Sequence, residues 1–244
     1  MNISLPTKPQ LVSEEDFKAT FKIENLYPGY GHTFGNSLRR IILSSIPGVG
    51  VTTVKIDGVE HEFSTIEHVS EDVITILLNL KRVVFRLHEA DEVECTIQVD
   101  GAKKYTASDI EAPTEAEVVS KDAPIMTVND AKAKFTMTFI IKRGIGYVAK
   151  ENILEGKVPV GVMVMDTSFT PIRRATYDVE NMRVGDRTDY NRVLITIETD
   201  GTLTPGQVMD QSVDIMLEQL QAMSNTSVAG NESTMIEASD DDES

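Results

Sequence analysis

The first place to look for chemistry is Gly29-Tyr30-Gly31-His32-Thr33-Phe34-Gly35, a glycine-rich turn that enters a helical stretch. Backbone N–H groups in such a loop can cradle a phosphate at a helix N-terminus. The segment lacks the Gly-Lys-Ser/Thr ending of a P-loop and its spacing misses the dinucleotide fingerprint, so it reads as turn glycines with Tyr30 and Phe34 as packing residues. The histidines His32, His61, His68 and His88 are scattered, and no pair has the i, i+4 placement of a helical zinc site. His61 and His68 lie near Glu60, Glu62, Glu67 and Glu71, an opportunistic cation site at best and more simply a solvated loop. Asp240-Asp241-Asp242 has the composition of a magnesium cluster, but phosphoryl transfer needs its metals on a rigid frame and this triplet lies in a polar acidic tail. Cys95, the only cysteine, sits in the alternating run Val93 to Val99 and reads as a buried strand thiol. No catalytic residue, metal ligand or cofactor site is therefore expected in this chain.

The elements around these residues form an α+β layout. Phe17, Ala19, Phe21 and Ile23 alternate onto one face of a half-buried strand. From Thr33 to Ser45 the residues Phe34, Leu38, Ile41, Ile42 and Ser45 share one helical stripe, and Pro47-Gly48 supply the stop. Asp57-Gly58 between two alternating runs predicts a hairpin, and Ser70 is expected to cap a short helix with Glu71 and Asp72 in its first turn. Strands are expected at Val83 to Leu87, Val93 to Val99, Phe135 to Ile141 and Val160 to Met165, with 107–131 a peripheral, proline-punctuated excursion. Ile172 to Val179 and Val193 to Ile197 return to alternation, and Pro205 opens a final helix at its first position.

That last helix carries Met209, Val213, Met216, Leu220 and Met223 at spacings of 4, 3, 4 and 3, the seam of a coiled coil. Val208, Ile215 and Ala222 widen the apolar arc to about 220° at ~100° per residue, more than a surface helix needs. Two apolar sectors imply either a deeply buried helix or two partners, the chain's own sheet and a second copy. Opposite the core stripe of the first helix lies a polar strip of Thr33, Asn36, Arg40 and Ser44 with Leu43 beside it. It is either a solvated face or an interface anchored by a guanidinium. Arg39 points to a different side.

Charge narrows the partners. Lys and Arg total 23 against 39 Asp and Glu, a net charge of −16, and a surface of that sign repels a phosphate backbone. No direct DNA binding is expected from this chain alone. The start, Met1 to Gln10, has no basic-plus-apolar leader, and no apolar run reaches membrane-spanning length, so a cytoplasmic chain with no membrane contact is expected. Residues from Ser224 onward are polar and acidic and are expected to be disordered.

The run Gly29 to Gly48 resembles the helix signature of the bacterial DNA-directed RNA polymerase alpha subunit. Further collinear blocks resemble the same family: Ile56 to Thr65, Glu71 through Lys81, Gly144 to Val148, Phe169 through Glu180, Arg187 to Tyr190 and Thr199 to Pro205. The resemblance spans roughly residues 10 to 223. It implies a dimerisation subdomain of sheet plus two long helices (1–47 and 170–224), an inserted β-rich subdomain (48–169) and an acidic tail (225–244). It also implies a homodimer that nucleates assembly of the beta and beta-prime subunits, which carry the active site, its magnesium and the nucleic acid. On that basis Tyr30, Phe34, Leu43, Met209, Val213, Met216, Leu220 and Met223 are expected at the dimer interface. Asn36, Arg40, Ser44 and Lys81 are expected against beta. The family continues into a DNA-binding C-terminal domain, which this sequence is expected to lack. His68 stands where the family usually has glycine, and Ile145 and Ala149 stand where an arginine and a proline are common. A free-standing dimeric adaptor, or an archaeal-type or eukaryotic-type heterodimer partner, would share the fold; the length of the bacterial-style match argues against the latter.

Overall fold

The computed structural model describes residues 3–153 and 159–224. The predicted acidic tail and its aspartate triplet lie outside the described residues.

The chain opens with the antiparallel pair β1 (Gln10–Glu15) and β2 (Lys18–Leu26), then α1 (Tyr30–Ser45). A β-rich excursion follows: β3 (Pro47–Ile56), α2 (Val73–Leu80), β4 (Phe85–Leu87), β5 (Glu92–Asp100), β6 (Lys104–Thr106), β7 (Ala116–Val118), β8 (Pro124–Thr127) and β9 (Lys134–Ile145). It closes with β10 (Tyr147–Val148), the short α3 (Lys150–Ile153), β11 (Val162–Val164) and β12 (Thr167–Ser168). The long hairpin β13 (Ile172–Val184) and β14 (Arg187–Thr199), turning at Gly185 with φ 61°, then leads to α4 (Pro205–Ser224). The architecture is α+β, as expected.

Buried apolar residues fall into two clusters. One joins Phe21, Ile23 and Leu26 of β2, Leu38 and Ile42 of α1, Val193, Ile195 and Ile197 of β14, and Val208 and Met209 of α4. Its sheet runs β1-β2-β14-β13, so β2 and β14, from opposite ends of the chain, meet in its centre. The other cluster lies under the sheet β11-β3-β9-β5, with Val73, Ile76, Leu77 and Leu80 of α2 buried at i, i+3, i+4 and i+7. Cys95 is fully buried in this second cluster, and burial, with the nearby Glu94 charge, pushes its thiol up to about 11.

Four local expectations are corrected. Gly58 does turn, with φ 76°, but Val59 to Phe63 form no strand. Asp57 instead exchanges bonds with Thr136 of β9, its N–H donating to the Thr136 carbonyl (3.0 Å) and its carboxylate accepting from the Thr136 N–H (3.2 Å). The cap of α2 is Asp72, whose carboxylate accepts from Thr75 N–H at 3.0 Å, while Ser70 takes a bond from Asn129. Segment 107–131 is not peripheral, because Ala107, Ile110, Val118, Ile125, Met126 and Val128 are buried in the second cluster. Phe17 sits in the β1–β2 turn and is 52% exposed, lying over Gly201 rather than in the core. His68 adopts φ 67°, the left-handed conformation in which a glycine is least strained, so the backbone of that turn keeps a form suited to glycine.

Candidate partner-docking surfaces

Helix α1 lies close on the β13–β14 hairpin because two of its residues lack a Cβ. A Cβ on Gly35 would stand 2.5 Å from the Tyr177 ring, and one on Gly31 would stand 2.7 Å from Val179 and 2.8 Å from Asn191. Gly29, at φ 87°, has no side chain with which to cap the helix. Asn191 of β14 supplies the missing acceptor: its Oδ1 takes the N–H of Gly29 at 2.9 Å and of Gly31 at 3.3 Å. The glycine-rich turn is thus occupied by the chain's own amide oxygen, consistent with packing and turn glycines.

On the outer side, α1 and α4 enclose an apolar groove of about 240 Å³ lined by Phe34, Leu38, Val213, Met216, Leu217 and Leu220, together with Pro6 and Pro9 of the N-terminal segment. Tyr30 extends the apolar edge, its ring 5.7 Å from Tyr27 and 5.8 Å from Phe34. Phe34, Leu43 and Met216 are half-buried against the chain's own core, whereas Val213, Leu220 and Met223 are exposed, Leu220 by 50% and Met223 by 72%. Met209 is corrected as an interface residue: at 1% exposed it packs inside this chain's own cluster and has no surface to offer. Leu217, 51% exposed, also lines the groove and was not among the residues expected there, although it shares a 4 and 3 spacing with Val213 and Leu220 of the predicted seam.

The polar strip is built differently. Arg39 is half-buried and its Nε donates to the Ala175 carbonyl of β13 at 3.1 Å, which ties α1 to its own sheet. Arg40 and Asn36 are exposed, and Arg40 has no side-chain hydrogen bond or ion pair among the described residues; only its carbonyl is used, accepting from Ser44 Oγ at 2.8 Å. Lys81, at the end of α2, reaches Asp166 with Nζ–Oδ1 2.6 Å, and this contact first of all holds the Asp166 carboxyl below the usual carboxylate range. The Tyr147 hydroxyl donates to the other Asp166 oxygen at 3.4 Å. Burial, then the Asp166 charge, raises the Tyr147 phenol above its ordinary value.

Lys81 is nevertheless not remote from α1. Gly146, at φ 66°, approaches Ser44 so that a Cβ on it would lie 3.7 Å from the Ser44 carbonyl. A band thus runs from Ser44 through Gly146 and Tyr147 to Asp166 and Lys81, with Ile145 56% and Tyr147 66% exposed along it. Tyr147 and Asp166 were not singled out from sequence. Tyr147 lay inside a block that carried the family resemblance, and Asp166 gave no signal. His61 and His68 do not converge: His61 meets Ser64 at 3.1 Å and His68 meets Asp130 at 3.5 Å.

Comparison with known proteins shows what the chain is similar to. Residues 54–170 match the family model described as the RNA polymerase Rpb3/RpoA insert domain. The chain is 40% identical over 225 residues to a DNA-directed RNA polymerase subunit alpha of Roseiflexus castenholzii, covering 92% of this chain and 69% of that one. Against the subunit of the same description from Oceanobacillus iheyensis it is 40% identical over 231 residues, 94% of this chain and 73% of the relative. With that of Alkaliphilus oremlandii it shares 44% over 209 residues, 86% of this chain and 66% of the relative. The chain therefore spans about two thirds of the length of these relatives.

Proposed function

The chain belongs to the family of DNA-directed RNA polymerase alpha subunits, and from that premise we propose that two copies pair through α1 and α4 to form a scaffold that nucleates assembly of the beta and beta-prime subunits. The observation that carries the reading is the groove between the two helices. An exposed stripe of Val213, Leu217 and Leu220 beside a groove of about 240 Å³ is the kind of surface a soluble chain covers with a partner. A second copy suits it, because a patch that offers both an apolar stripe and a groove can meet its own image about a two-fold axis. The two clusters of buried residues support the discontinuous division, 1–47 with 170–224 and 48–169 between them.

The band from Asn36, Arg40 and Ser44 to Lys81 receives the beta subunit. An unpaired guanidinium on a helix face can fork to several acceptors of a partner, and Lys81 is held ready by Asp166. The chain contributes no catalytic group of its own to nucleotidyl transfer. Magnesium and nucleic acid belong to the partners, and its net charge of −16 disfavours DNA contact by this chain alone. No helix of the described residues is long and apolar enough to cross a membrane. A cytoplasmic place, with its polymerase, is part of the proposal. Affinity purification of the tagged chain from native cells tests it. Recovery of both large polymerase subunits with a second, untagged copy supports the reading, and recovery of the chain as a dimer without either large subunit would identify a free-standing adaptor instead.

A further inference from the structure

The proposed beta-facing band is drawn from two separately packed parts of the chain. Arg40 and Ser44 ride on α1, whose Leu38 and Ile42 pack in the first cluster, and Lys81 and Asp166 directly follow Leu80 and Met165 of the second. A composite surface binds a rigid partner well only if its halves keep one orientation, since any remaining freedom must be lost on binding. The covalent links between the parts, at α1–β3 and β12–β13, pass side by side, where Gly48 is pressed against the Phe169 backbone. Two adjacent crossings make a hinge.

One side chain spans the two parts beside that hinge. Arg86 of β4 donates Nε to the Thr202 carbonyl at 3.3 Å and Nη2 to the Gly201 and Thr202 carbonyls at 3.0 and 3.1 Å, while its Nη1 donates to the Glu117 carboxylate at 3.0 Å. The receiving loop is itself stiff: Asp200 Oδ1 accepts both the N–H and the hydroxyl of Thr202, at 2.9 and 2.6 Å, immediately before α4. Around this contact lies an open cleft of about 550 Å³, lined by Pro47, Gly48, Phe85, Arg143 and Gln211 among others, rather than a packed apolar interface. Gln211 Oε1 is buried there with no hydrogen-bond partner among the described residues. The guanidinium therefore carries the join at this point, and an ammonium could not reproduce its planar fork.

We infer that Arg86 is a positioning residue that locks the inserted part onto the loop entering α4, so that the Arg40 and Lys81 ends of the band present one surface to a large polymerase subunit. The inference rests on the proposed docking role of that band. Spin labels on Glu14→Cys and Lys134→Cys, both exposed, read the orientation directly; Cys95 is fully buried and does not compete, and excess unlabelled chain restricts the signal to one protomer. The full chain should give a narrow distance distribution, Arg86→Met a broad one and Arg86→Lys an intermediate one. Beta-subunit capture by Arg86→Met should weaken by about tenfold or more, the scale of one or two lost charged hydrogen bonds, while sedimentation and near-ultraviolet circular dichroism stay those of the wild type. An unchanged distribution overturns the lock, and a broadened distribution with undiminished capture overturns its role in docking. If Arg86→Met fails to fold, Arg86→Lys decides between the same outcomes. Wild-type chain that captures no beta would refute the docking role itself while the label distances still decide the lock.

Discussion

Gly35 and Tyr177 meet with no room for a methyl group between them: a Cβ on the helix residue would stand 2.5 Å from the ring. This contact sets the depth at which α1 lies on the β13–β14 hairpin, and with it the shape of the groove that α1 shares with α4. Gly35→Ala should therefore destabilise the chain by roughly 1–3 kcal/mol, the usual range for overpacking, despite the better helix propensity of alanine. Pairing it with Tyr177→Leu, which removes the ring edge, should recover part of the loss. Denaturant titrations of the single and double variants check this, and additive losses would show that the ring is not the obstacle.

Acid should weaken the fold through identifiable carboxylates. Asp166 is held low by Lys81 and Asp189 by Arg187, while at Glu24 burial is outweighed by bonds from Arg192 and Lys22. Each folded pKa lies below its unfolded value. Each contribution is thus complete above the ordinary carboxylate range of about 4 and is lost as pH falls through the folded value. Stability measured by denaturant should be flat from neutral pH down to that range and then decline. Glu24→Gln should flatten the decline, and a stability that rose on acidification would contradict the assignment.

Much of this was legible from periodicity. The burial of Ala19, Phe21 and Ile23, the α1 stripe and the inert position of Cys95 all follow from alternation or helical spacing within a few residues. What was not legible depends on distant chain. Asp57-Gly58 has the composition of a hairpin, but its partner Thr136 is 79 residues away. The helical wheel of α4 shows a wide apolar arc without saying which part the chain's own sheet covers, so Met209 was placed outside and Leu217 overlooked. Asn191 capping α1 from 160 residues away, and Asp166 meeting Lys81 from 85, left no local mark.

Neighbouring arginines should separate folding from recruitment. Arg39→Ala loses the bond to the Ala175 carbonyl and should cost about 1 kcal/mol of stability with beta binding retained. Arg40→Ala removes an exposed side chain with no partner among the described residues, so stability and dimerisation should be unchanged. Beta capture should nevertheless fall by roughly 2–5 kcal/mol, the scale for truncating a charged anchor that becomes buried at an interface. Pull-down of beta at matched dimer concentration checks both. Intact capture by Arg40→Ala would return this residue to the solvated surface.

The pairing of two copies through α4 is the claim on which the rest depends, and sedimentation velocity at low micromolar concentration tests it most directly. The wild-type chain should sediment as a dimer. Leu220→Asp, at a position 50% exposed in the single chain, should sediment as a folded monomer, because pairing would bury an unpaired carboxylate at a penalty of several kcal/mol. Met209→Asp, inside the chain's own core, should instead unfold it. A wild-type monomer, or a Leu220→Asp variant that remains a dimer, would contradict the account.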